Sequence, residues 1–147
     1  MKPIVVSAID SEHFPTRAHK TDAWFDVRAN DNYIIAPKWL CPIGLWVKVA
    51  MPIGKVCLLT PRSSLFKKYW LLLVNSPGVI DAWYRWEIMM QVYNATDKEV
   101  LIEHWERIWQ LLFMDYSTEV ELSNKYDSFE EMYPSDRGIW WLGSTWN

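Results

Sequence analysis

Glycine is scarce in this sequence: there are five, against eleven tryptophans, in 147 residues. Globular chains ordinarily carry about 7% glycine, so tight turns must be made here with few of the residues that adopt positive φ without steric cost. Cysteine is scarce too. Cys41 and Cys57 are too few for a disulfide framework and lack Cys-x-x-Cys metal spacing, which reads as two buried free thiols in a reducing compartment. Histidine occurs only at His13, His19 and His104, with no recognisable ligand spacing. No stretch approaches the ~20 apolar residues of a membrane span, and the opening Met-Lys-Pro-Ile-Val-Val-Ser is no signal peptide, so a cytoplasmic protein without a membrane partner is expected. An excess of positive charge is also missing. The net charge of -3, with both signs mixed along the chain, excludes a non-specific grip on duplex nucleic acid but leaves room for a local cluster around a phosphate.

What is present suits one domain able to bury a core unaided. Residues 3–9 read as a strand, followed by a polar loop that leads to Thr21-Asp22-Ala23-Trp24-Phe25-Asp26-Val27-Arg28. Asp22 and Asp26 are four apart, so in an extended segment both carboxylates share one face; two solvated loop acids would look the same. From Tyr33 to Thr60, short apolar runs are punctuated by Pro37, Pro42, Gly44, Pro52 and Gly54, the turn rhythm of a β-sandwich or barrel. Pro61-Arg62-Ser63-Ser64-Leu65 then opens helical spacing from Ser64 to Leu72. Hydroxyls and free backbone N–H groups beside an arginine suit an anion, although a plain helix cap gives the same pattern.

The centre of the chain runs from Asn75 to Ile88. Ser-Pro-Gly marks a turn, and Val79-Ile80-Asp81-Ala82-Trp83-Tyr84 alternates loosely enough for one arm of a β-hairpin. Such an arm can present backbone groups to the edge of a flat base, with Asp81 and Tyr84 adding a carboxylate and a ring. An ordinary turn acid and a half-buried strand tyrosine are the plain alternative. Glu87 to Tyr93 reads as a strand and Asn94-Ala95-Thr96-Asp97 as the turn that ends it. Between Glu99 and Tyr116, Leu101, Trp105, Ile108, Trp109 and Leu112 recur at helical spacing. Residues 117–136 are polar and acidic, an exposed connection ending in Pro134-Ser135-Asp136.

Five segments, taken together and in order, resemble the motifs of the trimeric dUTP diphosphatases (dUTPases). They are Asp22 to Val27, Pro61-Arg62-Ser63-Ser64, Gly78-Val79-Ile80-Asp81 with Tyr84-Arg85 and Glu87, Glu106-Arg107-Ile108 with Gln110-Leu111-Leu112-Phe113, and Arg137-Gly138 with Gly143-Ser144-Thr145. They span nearly the whole chain. The resemblance implies an all-β fold, a distorted β-barrel or jelly-roll with one short helix after Arg62-Ser63-Ser64. It also implies a single domain over 1–136 and a C-terminal arm over 137–147 that folds over a neighbouring subunit's nucleotide in a homotrimer. It makes the segment around Trp109 a strand, against its helical spacing.

The activity implied is hydrolysis of dUTP to dUMP and diphosphate. By resemblance Asp81 is the general base on the attacking water, and Asp26 helps hold Mg2+ through water. Arg62, Ser63, Ser64 and Gln110 take the phosphates, together with Arg137, Gly143, Ser144 and Thr145 of the arm. Asn75 and the backbone of Gly78, Val79 and Ile80 read the uracil edge, and Tyr84 packs under the deoxyribose. The dCTP deaminases share the fold, but the complete motif set favours dUTP hydrolysis. An inactive nucleotide- or partner-binding scaffold is the alternative within the fold. A tryptophan-rich domain that stacks sugars or bases is disfavoured because its indoles are spread over separate motifs.

The tryptophans fall on a pattern. Positions 24, 70, 86, 105, 140, 141 and 146 are glycine in the family, position 83 is commonly glycine or aspartate, and position 109 is usually small. Trp in their place forces side chains into turns that want positive φ, at about 1 kcal/mol or more each, and crowds a phosphate cradle. The expectation is a chain that folds poorly into the family assembly and has little activity.

Overall fold

The structure, a computed structural model, describes residues 3–122, 124 and 129–132. Among the described residues, eleven strands carry most of the order. They are β1 (Val5–Ala8), β2 (Phe25–Val27), β3 (Tyr33–Ile35), β4 (Leu40–Gly44), β5 (Val47–Ala50), β6 (Lys55–Pro61), β7 (Leu71–Leu73), β8 (Gly78–Ile80), β9 (Met89–Asn94), β10 (Val100–Ile102) and β11 (Trp109–Asp115). A helix α1 (Ser64–Tyr69) follows the Pro-Arg-Ser-Ser segment, and a single 3-10 turn covers Ser11–His13.

Every ladder is antiparallel, and the sheets run β2-β11-β6-β8, β4-β9-β7, β1-β5 and β10-β3. Strand alternation explains the core. In β9, Met90, Val92 and Asn94 point inward while Met89 and Gln91 face out, as a period of two requires. Ile35, Ile43, Leu45, Val47, Ile102 and Leu111 complete a core sealed from solvent. The one fully buried amide among the described residues, Asn94, donates to Ile35 O, Ala36 O and Lys98 O at 2.8–3.1 Å and so closes the turn that follows β9. The all-β jelly-roll expectation holds, with its hydrogen bonding divided among separate sheets and no closed barrel among the described residues.

Several local expectations are corrected. The helix expected to run to Leu72 stops at Tyr69, because Trp70 takes a left-handed conformation (φ 56°, ψ 29°) and turns the chain into β7. Strands β8 and β9 do not pair with each other as hairpin arms. The ladder of β8 is with β6 and those of β9 are with β4 and β7, so 81–88 crosses from one sheet to another. The segment at Trp109 is a strand despite its helical spacing, with Trp109 wholly buried and its indole N–H without a partner. The connection over 117–136 carries a second short helix, α2 (Phe129–Met132).

Candidate functional site

The four-stranded sheet determines what its side chains can meet. Asp26 on β2 stands opposite Gln110 on β11, which in turn faces Thr60 on β6. Gln110 Nε2 donates to Asp26 Oδ1 at 3.2 Å. Two guanidinium groups approach the other carboxylate oxygen, Arg62 at 3.4 Å and Arg107 at 3.7 Å. Asp26 is nearly buried, whereas Arg62 and Arg107 keep a third to a half of their side chains exposed. The result is a small cluster with spare N–H donors beside a cavity of about 300 Å³ lined by Asp22, Trp24, Asp26, Arg62 and Gln110. The Asp22 carboxylate is tied into a local turn by His19 N at 2.9 Å.

Backbone bonds place Arg62. Its N–H donates to Ile108 O at 2.8 Å and its guanidinium to Arg107 O at 2.9 Å. Next to it, Ser63 occupies the N-cap of α1 without making a side-chain capping bond. The cap reading of the two serines therefore fails for Ser63, and its exposed hydroxyl stays available. Ser64 opens the helix.

Behind these groups lies a carboxylate that the sequence reading gave no role. Glu106 Oε1 accepts from Lys68 Nζ at 2.7 Å and from the Tyr69 hydroxyl, and Oε2 accepts from Glu103 N at 3.3 Å. Burial pushes the Glu106 carboxyl up, but the bonds from Lys68 and Tyr69 outweigh it and hold it below the ordinary 4.5. A pKa depressed on folding contributes stability above the unfolded value, which is lost as pH falls through the folded one. Melting temperatures of this chain and of Glu106→Gln should therefore differ near neutrality and converge as pH drops below 4.5. Arg107 was also missed, though its place three residues before Gln110 was a usable signal.

The central segment lies elsewhere. Gly78 and Ile80 are buried in β8, Val79 faces solvent, and Asn75 is exposed ahead of a cis Ser76–Pro77 bond. A Cβ on Gly78 would stand 3.8 Å from Asn75 Nδ2, so the amide leans over the start of the strand. Asp81 is exposed and lines a cleft of about 950 Å³ with Val5, Met51, Ile53, Trp83, Arg85 and Tyr116. Tyr84 is half-buried; its hydroxyl donates to Glu87 O at 2.7 Å and its N–H to Asp81 O at 3.1 Å.

Asp26 and Asp81 are on opposite edges of one sheet. Three interstrand steps and an offset of four residues along β6 put them roughly 20 Å apart at about 4.8 Å per step and about 3.4 Å per residue. The sequence-predicted residues are thus brought together in two groups: Asp26, Arg62, Ser63 and Gln110, and Asn75 to Tyr84. Arg137, Gly138, Gly143, Ser144 and Thr145, with Trp140, Trp141 and Trp146, lie outside the described residues.

The remaining indoles divide by position. Trp70 and Trp105 adopt φ of 56° and 75°, the left-handed region that favours glycine. Trp46 does so as well, at 52°, although the sequence reading did not single it out. Trp105 and Trp46 pack on buried His13 with ring centroids 4.2 and 4.8 Å away. Trp24 borders the Asp26 cavity, and exposed Trp83 and Trp86 crowd Tyr84 at 6.4 and 5.5 Å.

Comparison with known proteins first defines the class. The fold is that of solved dUTPases. The dUTPase from Streptococcus mutans is similar with a TM-score of 0.73 and 28% identity, over 82% of this chain and 100% of that one. The Staphylococcus bacteriophage 80alpha dUTPase with dUPNHPP is similar with a TM-score of 0.78 and 25% identity, over 99% of both chains. A family model described as dUTPase matches residues 10–144. The deoxyuridine 5'-triphosphate nucleotidohydrolase of Corynebacterium jeikeium is 39% identical over 146 residues, covering 97% of this chain and 92% of the relative. The chain belongs to the dUTPase family.

Proposed function

We propose that this chain is a dUTP diphosphatase by descent, and that its tryptophans hold its activity far below that of a relative with glycine in their place. The cluster of Asp26, Arg62, Arg107 and Gln110 carries the reading, because it joins cationic donors to one ordered carboxylate beside a cavity. Arg62, Ser63, Ser64 and Gln110 bind the phosphates, and Arg137, Gly143, Ser144 and Thr145 close over them. Asn75 and the backbone from Gly78 to Ile80 read the uracil edge, and Tyr84 supports the deoxyribose. Asp81 takes a proton from water as the water attacks the α-phosphorus; the bond to the bridging oxygen breaks and diphosphate leaves.

The donor set fits hydrated magnesium. Among the described residues no group of three or more His, Cys, Asp or Glu side chains could cage a metal, but Mg2+ typically retains waters and is held by one or two carboxylates and the substrate's phosphates. Asp26 would hold it through water, and the ion would supply positive charge to the triphosphate. The separation of Asp26 from Asp81 favours a site shared between copies, since one α-phosphate cannot reach both on one chain. A homotrimer in which one copy presents its phosphate cluster to another's Asp81 satisfies this.

The test is diphosphate release from dUTP, with UTP and dTTP as controls, in Mg2+ and in chelator. Slow release confined to dUTP and abolished by chelator is the expected result. Tight dUTP binding with no release, even after glycine is restored, would favour the scaffold reading.

A further inference from the structure

We propose that Glu106 is a positioning residue of the phosphate site, latching α1 onto the 103–108 turn and thereby setting where Arg62 and Arg107 stand against Asp26. The inference rests on the dUTPase reading of that cluster and adds a residue to it.

Glu106 ties three segments together. Its carboxylate holds Lys68 and Tyr69 at the end of α1, the helix that begins just after Arg62 and Ser63. Its carbonyl accepts Ala29 N at 3.1 Å, three residues beyond Asp26. Its own turn delivers Arg107 to Asp26, and the Arg107 and Ile108 carbonyls to Arg62. Without the carboxylate, α1 would lose its ties through Lys68 and Tyr69 to this turn, leaving the bonds of the preceding Arg62 to the Arg107 and Ile108 carbonyls, and the two guanidinium groups would lose their common frame.

The latch is flanked by strain. Trp105 immediately precedes Glu106 and Trp70 immediately follows Tyr69, both with positive φ. Each is strained relative to an ordinary backbone conformation, and relaxation at either would pull one side of the latch away. A half-buried carboxylate with two side-chain donors is a strong local tie, well placed to oppose that relaxation.

The experiment compares the full chain with Glu106→Ala, Glu106→Gln and the remote control Asp97→Ala. Affinities for dUPNHPP and for deoxyuridine are measured beside the guanidinium NMR signals of Arg62 and Arg107. Glu106→Ala should weaken dUPNHPP binding about tenfold or more, as misplacement of binding groups does, and leave deoxyuridine binding unchanged. It should also average both arginine signals. Glu106→Gln, which still offers an acceptor to Lys68 and Tyr69, should retain most of the affinity, and Asp97→Ala all of it. Equal losses for both ligands, or ordered arginine signals in Glu106→Ala, would overturn the proposal. If the unaltered chain binds neither ligand, the dUTPase reading falls, and the arginine signals alone decide for or against the latch.

Discussion

Placing glycine at positions 24, 70, 86, 105, 140, 141 and 146 is expected to raise dUTP turnover by about a hundredfold or more. That is the scale of loss when binding groups are misplaced by about 1 Å. Two contributions can be traced in the described residues. Trp70 and Trp105 occupy left-handed backbone at φ 56° and 75°, so glycine there removes about 1–2 kcal/mol of strain at each and should raise the melting temperature. Trp24 borders the cavity beside Asp26, Arg62 and Gln110, which glycine at that position would enlarge. Rates of diphosphate release from the two chains at matched magnesium decide the matter. Equal rates would mean that the indoles do not obstruct the site.

In that glycine-substituted background, Asp81→Asn should lower turnover by about 10²–10⁴-fold, the range for loss of a general base, while dUPNHPP still binds. Asp81 is exposed and lines its cleft, and its backbone carbonyl, rather than its side chain, accepts from Tyr84 N. The carboxylate is thus free to meet water when substrate arrives. A variant that turns over dUTP normally would move the base elsewhere. Loss of dUPNHPP binding in parallel with turnover would assign Asp81 to binding.

The grouping of Asp26 with Gln110 was legible in the sequence, because both sit on strands whose identity hydrophobic patterning and the family motifs constrain. Asp26 and Gln110 are 84 residues apart, yet they face each other across a single ladder. At Trp109 the two signals conflicted. Helical spacing pointed one way and the motif the other, and the β11 ladder with β6 prevailed because seven paired residues outweigh a local stripe. The end of α1 was hidden, since Leu71 and Leu72 continue the helical spacing while the reversal at Trp70 is a backbone event that side-chain periodicity does not register. The Glu106 latch was hidden for a different reason: Lys68 and Glu106 are 38 residues apart and meet only once α1 has docked. The placement of Asp81 away from Asp26 follows from strand order, which no local pattern records.

On the proposed shared site, that strand order would link catalysis to mass action. If the carboxylate on one edge of the sheet must serve phosphates bound on another copy, each chain alone carries two incomplete halves. Binding that completes the site also favours association, since a ligand stabilises whatever state it binds. Substrate then acts as an assembly factor. Dilution would silence such a protein with every strand still in place, and added nucleotide would shift the dilution at which silence falls.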